Sequence, residues 1–194
     1  MLCFESNLTK QEEKARDIMV YLFNPVLKFI LMTSNCTEFV KYGCNSCRQT
    51  AILGAGYLRT LLPDYDFNVY EGSFIENING QCVPYTHAFI VANKNDRHLV
   101  IDLSRTTKKL LFSETYSNVY PEIEDYENVT KIGQKRIDLD LMLETDVPEY
   151  FTGKTPRELL FLINTLINDL KTLPREKQLE FCDKIYSDTT TLRR

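Results

Sequence analysis

The chain has 194 residues, of which 43% are apolar, and a formal net charge of −4 at neutral pH. This length and composition suit one domain with a sizeable core rather than several independent domains. The acidic balance and the lack of a basic patch interleaved with aromatic residues argue against nucleic-acid binding, and no segment has the apolar length needed to span a bilayer.

The N-terminal residues Met1–Glu5 lead directly into polar sequence, which is not the pattern of a secretory signal. We therefore expect a reducing compartment, the cytoplasm of the producing cell or of a host cell if the protein is a delivered effector. In that setting the six cysteines are expected to be free thiols rather than a disulfide framework.

Two helices are predicted at the N-terminal end. Thr9 and Glu12 have the spacing of a capping box, which opens a helix with an apolar face. Asn24-Pro25 then begins a second, mostly buried helix that runs to about Met32, with Pro25 at its first position. Residues 33–42 are predicted to be a connector.

A third helix is predicted to begin at Cys47. Ser46 and Gln49 have capping-box spacing, which places Cys47 in the first turn, and the apolar residues that follow repeat with helical spacing until Pro63 stops the helix. The unpaired N–H groups at the helix start favour a thiolate, and Arg48 adds positive charge. Cys47 is therefore the best candidate for a reactive cysteine. The small residues at 54–56 indicate close packing against another element.

Strands are predicted after this helix. Residues 67–74 alternate and contain β-formers, and Asn77–Gly80 has the composition of a turn. Two apolar runs, Pro84–Ala92 and His98–Leu103, are joined by the turn-forming residues 93–97, which predicts a β-hairpin. A further short strand is expected at 110–112. Helices followed by an antiparallel sheet indicate an α+β fold.

The predicted hairpin brings a carboxylate to an imidazole. A two-residue turn at Lys94-Asn95 sets His87 directly opposite Asp102, and a turn at Asn95-Asp96 sets Asp102 diagonal to His87 on the same face. In either register Asp102 would orient the ring and stabilise its protonated form, while the other ring nitrogen faces Cys47. His98, the other histidine, begins a strand beside Arg97 and is expected on a solvated face.

The order Cys47, His87, Asp102 resembles that of the papain-like and transglutaminase-like cysteine enzymes. Gly43-Cys44-Asn45-Ser46-Cys47 is similar to the Gly-x-Cys-Gly-Ser-Cys run of papain, with one residue fewer between the glycine and the first cysteine. The short Cys-to-His and His-to-Asp separations, 40 and 15 residues, are similar to those of transglutaminase-like domains and arylamine N-acetyltransferases. The resemblance covers about residues 40–105.

The resemblance implies a catalytic-cysteine helix packed on an antiparallel sheet, with Cys47, His87 and Asp102 as catalytic residues. It implies acyl chemistry through a thioester, by peptide or amide hydrolysis, glutamine deamidation or acyl transfer, on a protein or peptide substrate and without cofactor or metal. The oxyanion-binding glutamine of papain is absent, so the Cys47 N–H with Asn45 or Tyr42 would bind the oxyanion. The Arg-Gly-Gly lead-in of the acetyltransferases is also missing.

Three alternatives use the same residues differently. Cys44-x-x-Cys47 ahead of a helix is also the layout of a thiol-disulfide redox centre, although the second cysteine, not the first, stands at the helix start. A zinc site would use Cys36, Cys44, Cys47, Cys82 and His87, which lack a second closely spaced ligand pair. A non-catalytic protein-binding module on the same fold is the third.

The remaining chain is acidic at first and helical at the end. Residues 114–150 contain ten Asp/Glu and three Lys/Arg, and 114–128 are predicted to be a surface loop. Residues 132–143 are expected to hold one or two strands. Thr155 and Glu158 form a capping box that opens a helix, and a second helix begins near Pro174, giving a C-terminal helical hairpin. We expect a single domain over 1–186 and a flexible tail over 187–194.

Overall fold

The computed structural model describes residues 8–33, 47–78, 80–103, 111–115, 129–145 and 154–191. Within these ranges the chain has an α+β fold, as predicted. The helices are α1 (Lys10–Ile18), α2 (Asn24–Thr33), α3 (Cys47–Leu61), α4 (Leu139–Glu144), α5 (Pro156–Thr172) and α6 (Arg175–Thr191). The strands are β1 (Asp66–Ile78), β2 (Gln81–Lys94), β3 (Arg97–Asp102), β4 (Leu111–Thr115) and β5 (Val129–Ile137).

The strands form one antiparallel sheet in the order β4-β3-β2-β1-β5. β1 and β2 pair along almost their whole length, from Asp66 opposite Asn93 to Ile78 opposite Gln81. The hairpin between them turns at Gly80, which has a φ of 81° that few other residues tolerate. Both strands are longer than the sequence predicts, and the predicted turn over Asn77–Gly80 is wrong in part because Asn77 and Ile78 belong to β1.

Helix α3 packs closely against the sheet. A Cβ atom added at Gly54 would overlap Leu103 Cδ1 and would lie 3.3 Å from Ile90 Cδ1, so a larger residue there would force the Leu103 side chain to move. Such close packing is what the small residues at 54–56 predict. The main apolar core lies here, between the helices and one face of the sheet, and a smaller cluster that includes Phe89, Val91 and Val100 covers part of the other face.

The two N-terminal helices are joined without a break. Thr9 caps α1 and shares a full capping box with Glu12, as predicted. Residues Met19–Phe23 form a π-helical turn that leads directly into α2, where Pro25 is the second residue. Proline has no N–H to donate to the carbonyl four residues earlier, and the wider turn accommodates that loss. The predicted restart at Asn24 is therefore a local widening of one long helix.

A buried ionic network holds α1 to the β2–β3 hairpin. The Glu12 carboxylate is fully buried and accepts two hydrogen bonds from Arg97, at 2.7 and 2.8 Å. It also accepts from the Tyr65 hydroxyl and, at 2.6 Å, from the Thr9 backbone N–H. Arg97 donates in addition to Glu114 on β4 at 2.8 Å. The cap of α1 thus connects to Tyr65, to Arg97 on β3 and, through Arg97, to Glu114 on β4.

The C-terminal half corrects one prediction and confirms another. The expected strand in 132–143 is β5, which ends at Ile137, but a second strand there is wrong because Leu139–Glu144 is helix α4. The Asp138 side chain accepts from the Leu141 N–H and caps this helix, and Leu139 and Leu143 are buried one turn apart. The capping box that opens α5 is confirmed at Thr155.

Helix α6 continues to Thr191, past residue 187, where the sequence predicts a flexible tail. Ile185 and Tyr186 are buried on this helix just before residue 187, and the flexibility of the residues that follow stays a prediction. In the described part of the chain, none of the helices combines the length and the apolarity needed to cross a membrane. The predicted loop over 114–128 is wrong at its first two residues, because Glu114 and Thr115 belong to β4, and residues 116–128 lie outside the described residues.

Candidate active site

The candidate nucleophile lies at the first residue of α3. Cys47 is the first described residue of α3, and its side chain is half-buried against the main core. Ser46, the predicted capping residue, lies outside the described residues. Gln49, its predicted partner, is buried, and its side-chain oxygen has no hydrogen-bond partner among the described residues. Cys47 therefore lies in the helix, and both the predicted helix start and its cap stay predictions.

The β2–β3 hairpin adopts the second of the two predicted registers. Ile90 pairs with Ile101 and Lys94 with Arg97, so the turn is centred on Asn95-Asp96. Asn95 has a φ of 52°, in the left-handed region that asparagine tolerates. In this register Asp102 lies diagonal to His87, on the same face of the sheet. The turn at Lys94-Asn95, with the two residues directly opposite, is wrong.

His87 and Asp102 are joined by a short hydrogen bond. Nε2 of His87 lies 2.9 Å from Oδ2 of Asp102. The Asp102 side chain is 1% exposed and that of His87 is 21% exposed, so the carboxylate is buried behind a ring that still reaches solvent. A buried carboxylate needs a partner to offset the loss of hydration. Here the imidazole is such a partner.

The Cys47 side chain interacts with the same ring and contributes to its pKa. Burial lowers the pKa of His87, but hydrogen bonds to Asp102 and Cys47, and the negative charges on those two groups, raise it from 6.5 to about 10. The ring is therefore protonated at neutral pH. Because Asp102 contacts Nε2, Nδ1 is the nitrogen left for the sulfur. The imidazole of His87 therefore interacts with both the Asp102 carboxylate and the Cys47 side chain.

Arg48, expected to add positive charge beside the thiol, is paired instead. Its Nη1 lies 3.9 Å from Oε1 of Glu71, and Oε2 of Glu71 lies 2.8 Å from Nζ of Lys135. Glu71 is on β1, next to the residue that pairs with His87. The carboxylate thus connects the first turn of α3 to β1 and β5. The sequence carries no signal for this contact, because the three residues are far apart along the chain.

A glycine beside the histidine is a feature that the sequence reasoning missed. Gly72 is the cross-strand partner of His87, and a Cβ there would lie 2.6 Å from a ring carbon of Phe74. The Phe74 ring therefore folds over the backbone next to the imidazole. A glycine within a strand marks such a close approach, so this signal was present in the sequence.

Other predicted site residues fall into two groups. Tyr42, Asn45, Cys44 and Cys36 lie outside the described residues, so the oxyanion, redox and zinc predictions that use them stay predictions. His98 is half-buried and its Nδ1 lies 2.6 Å from Oδ1 of Asn93, so the expectation of a solvated residue is wrong in part.

Among the residues described, no group of three histidine, cysteine or acidic side chains is placed to hold a metal ion. Cys82 is exposed on β2, and Cys182 is buried in α6.

Comparison with known proteins finds no family model, curated protein or solved structure that matches this chain. The site is therefore interpreted from its own chemistry.

Proposed function

We propose that the protein is a cysteine-dependent enzyme of acyl chemistry, with the papain-like or transglutaminase-like arrangement of catalytic residues that its sequence resembles. The observation that carries the proposal is the single imidazole of His87, which is hydrogen-bonded to Asp102 and whose pKa is raised by its interaction with Cys47. A helix start, a strand and the end of a neighbouring strand contribute one residue each. This is the convergence that an activated thiol nucleophile requires.

The roles follow from the charges at the site. His87, protonated at neutral pH, stabilises the negative charge on the sulfur of Cys47. The sulfur attacks the carbonyl carbon of an amide, and the carbon–nitrogen bond breaks as His87 gives its proton to the departing amine. His87, now neutral, takes a proton from the incoming nucleophile, which displaces the thiol from the thioester. Asp102 holds the ring in place through both steps.

The nucleophile in the second step decides the reaction class. Water gives peptide or amide hydrolysis, or deamidation if the amide is a glutamine side chain, and an amine gives acyl transfer. All three fit the described residues, and a protein or peptide in the cytoplasm is the proposed substrate. The second candidate function, a binding module without catalysis, would leave Cys47 no more reactive than the other thiols.

The test is selective alkylation with a limiting amount of iodoacetamide at neutral pH, followed by peptide mapping of the six cysteines. We expect Cys47 to be modified first, and His87→Ala to slow its modification by about 10- to 100-fold, since the ring no longer stabilises the thiolate. His98→Ala is the matched control, because it removes the other histidine and should leave the rate unchanged.

Sluggish and equal labelling of all thiols would refute the enzyme and support the binding module. Reversible oxidation that joins Cys44 to Cys47 would instead support the thiol-disulfide oxidoreductase.

A further inference from the structure

Strand β2 has an open edge that leads to the candidate site. On its inner side β2 pairs with β1 from Gln81 to Asn93. On its outer side β3 pairs only with Ile90–Lys94, because β3 ends at Asp102. The described part of the chain supplies no strand to the outer edge of β2 from Gln81 to Thr86. We call residues 81–86 of this edge the open edge.

The open edge is accessible and uncharged. Five of its six residues are exposed: Gln81, Cys82, Val83, Pro84 and Thr86. Natural edge strands are commonly protected by charged side chains from pairing with another chain, and residues 81–86 include no charged side chain. Its only protection is Pro84, which lacks an N–H. No described strand pairs with the remaining backbone groups on this side, so an extended chain can add to them.

Pro84 also shows which backbone groups face outward. It lies inside the β1–β2 ladder, opposite Ile75, where proline is tolerated if its nitrogen points away from the neighbouring strand. Because backbone groups alternate along a strand, Cys82 and Thr86 direct their N–H and C=O groups outward as well. Thr86 comes immediately before His87 in the chain.

We propose that the open edge binds an extended segment of the protein substrate by strand addition and so delivers its acyl carbon to Cys47. The inference rests on the proposed function. The added segment would lie beside β2, in line with β3 and beyond its end at Asp102, which is the point where the sheet meets His87. Six residues of strand span about 20 Å, so the edge recognises main chain over several substrate residues. An uncharged edge favours a neutral, extended segment without proline.

The experiment measures the rate at which peptidyl chloromethyl ketones alkylate Cys47. In this reaction the sulfur forms a bond to the methylene carbon and chloride leaves. Probes with one residue and with five residues are compared, and a second pair has a bromoacetyl group at the N-terminus, so that either chain direction is tested. In one of the two probe pairs, the five-residue probe should react about tenfold faster than the one-residue probe, because it adds two or three hydrogen bonds to the edge.

Thr86→Pro removes an outward N–H and should abolish this length dependence, whereas the matched variant Thr86→Ala keeps the N–H and the length dependence. N-methylation of alternate residues of the five-residue probe should also abolish the length dependence on the unmodified protein. This second block keeps the test valid if Thr86→Pro does not fold. Equal rates for short and long probes in both chain directions would overturn the proposal, as would length dependence that survives both blocks.

Iodoacetamide separates this proposal from the proposed function. If iodoacetamide labels Cys47 fast but the peptidyl probes show no length dependence, substrate binding at the open edge is rejected alone. If iodoacetamide labels Cys47 slowly, both this proposal and the proposed function are rejected. Sedimentation velocity tests a different occupant: if the free protein is a dimer that Thr86→Pro dissociates, the edge holds a second copy of the chain, and the proposal is wrong.

Discussion

At the scale of single residues, the ionisation of His87 governs the site. Its pKa of about 10 reflects two acidic neighbours that outweigh the effect of burial. A group whose pKa is raised by folding stabilises the folded state fully below its unfolded value of 6.5, and this contribution is lost as the pH rises through about 10. The site should therefore lose both its charge pair and part of its stability in alkaline solution.

Asp102→Asn tests this account. The amide keeps the shape of the carboxylate but removes its charge, so the pKa of His87 should fall well below about 10 while burial continues to lower it. Alkylation of Cys47 at neutral pH should then slow by about tenfold or more, because less imidazolium is present. NMR titration of the ring, assigned with His98→Gln, measures the change directly.

Asp96→Asn is the control for that measurement. Asp96 is an exposed carboxylate in the turn of the same hairpin, and its loss should leave the titration of His87 unchanged. A ring that titrates alike in unmodified protein and in Asp102→Asn would show that the carboxylate does not control it.

At the scale of elements, the contact between α1 and the β2–β3 hairpin depends on one carboxylate. Burial raises the pKa of Glu12, but hydrogen bonds from Arg97, Tyr65 and Thr9 and the charge of Arg97 lower it from 4.5 to about 2. The stabilisation is therefore present above pH 4.5 and is lost as the pH falls from 4.5 to about 2. α1 should separate from the hairpin in acid before the rest of the fold is lost.

Glu12→Gln should lower the free energy of unfolding by about 3 kcal/mol at neutral pH, since it leaves Arg97 beside a neutral group. It should also remove most of the acid dependence between pH 4.5 and about 2. Urea unfolding across this range measures both effects. Glu13→Gln, an exposed neighbour on the same helix, is the control and should change stability by less than about 0.5 kcal/mol. An equal loss in the two variants would contradict the role given to Glu12.

At the scale of the whole molecule, the first and last described helices are joined through the π-helical turn. The Tyr186 hydroxyl on α6 donates to the Val20 carbonyl at 3.0 Å, and Asn24 donates to the same hydroxyl at 3.2 Å. Nζ of the buried Lys28 lies 4.6 Å from the centre of the Tyr186 ring. The π-helical turn leaves a carbonyl to which a residue far along the chain can bond, so the distortion contributes to tertiary structure.

Tyr186→Phe should lower the free energy of unfolding by about 1–2 kcal/mol, because it leaves the buried Val20 carbonyl and the Asn24 amide without this partner. The rate of Cys47 alkylation should not change, since the site is on a different part of the fold. Thermal unfolding and iodoacetamide labelling give the two readouts. Tyr70→Phe, whose hydroxyl has no described hydrogen-bond partner, is the matched control and should be close to neutral in stability.

The amino-acid sequence by itself determined the features that depend on neighbours along the chain. The capping boxes at Thr9 and Thr155 and the existence of the β2–β3 hairpin all follow from residues within a few positions of one another. Such local signals act before the chain is packed, which is why they can be read without a structure.

Only the tertiary structure decided how these elements meet. Both registers of the hairpin satisfy the same alternation of side chains, so packing alone selects the turn at Asn95-Asp96 and the diagonal contact of His87 with Asp102. Glu12 is predicted as a cap, but its burial depends on Arg97, 85 residues away. Among the described strands, the open edge of β2 exists because β3 ends at Asp102. Contacts between distant residues follow from the packing of the whole chain, and no short stretch of sequence contains that information.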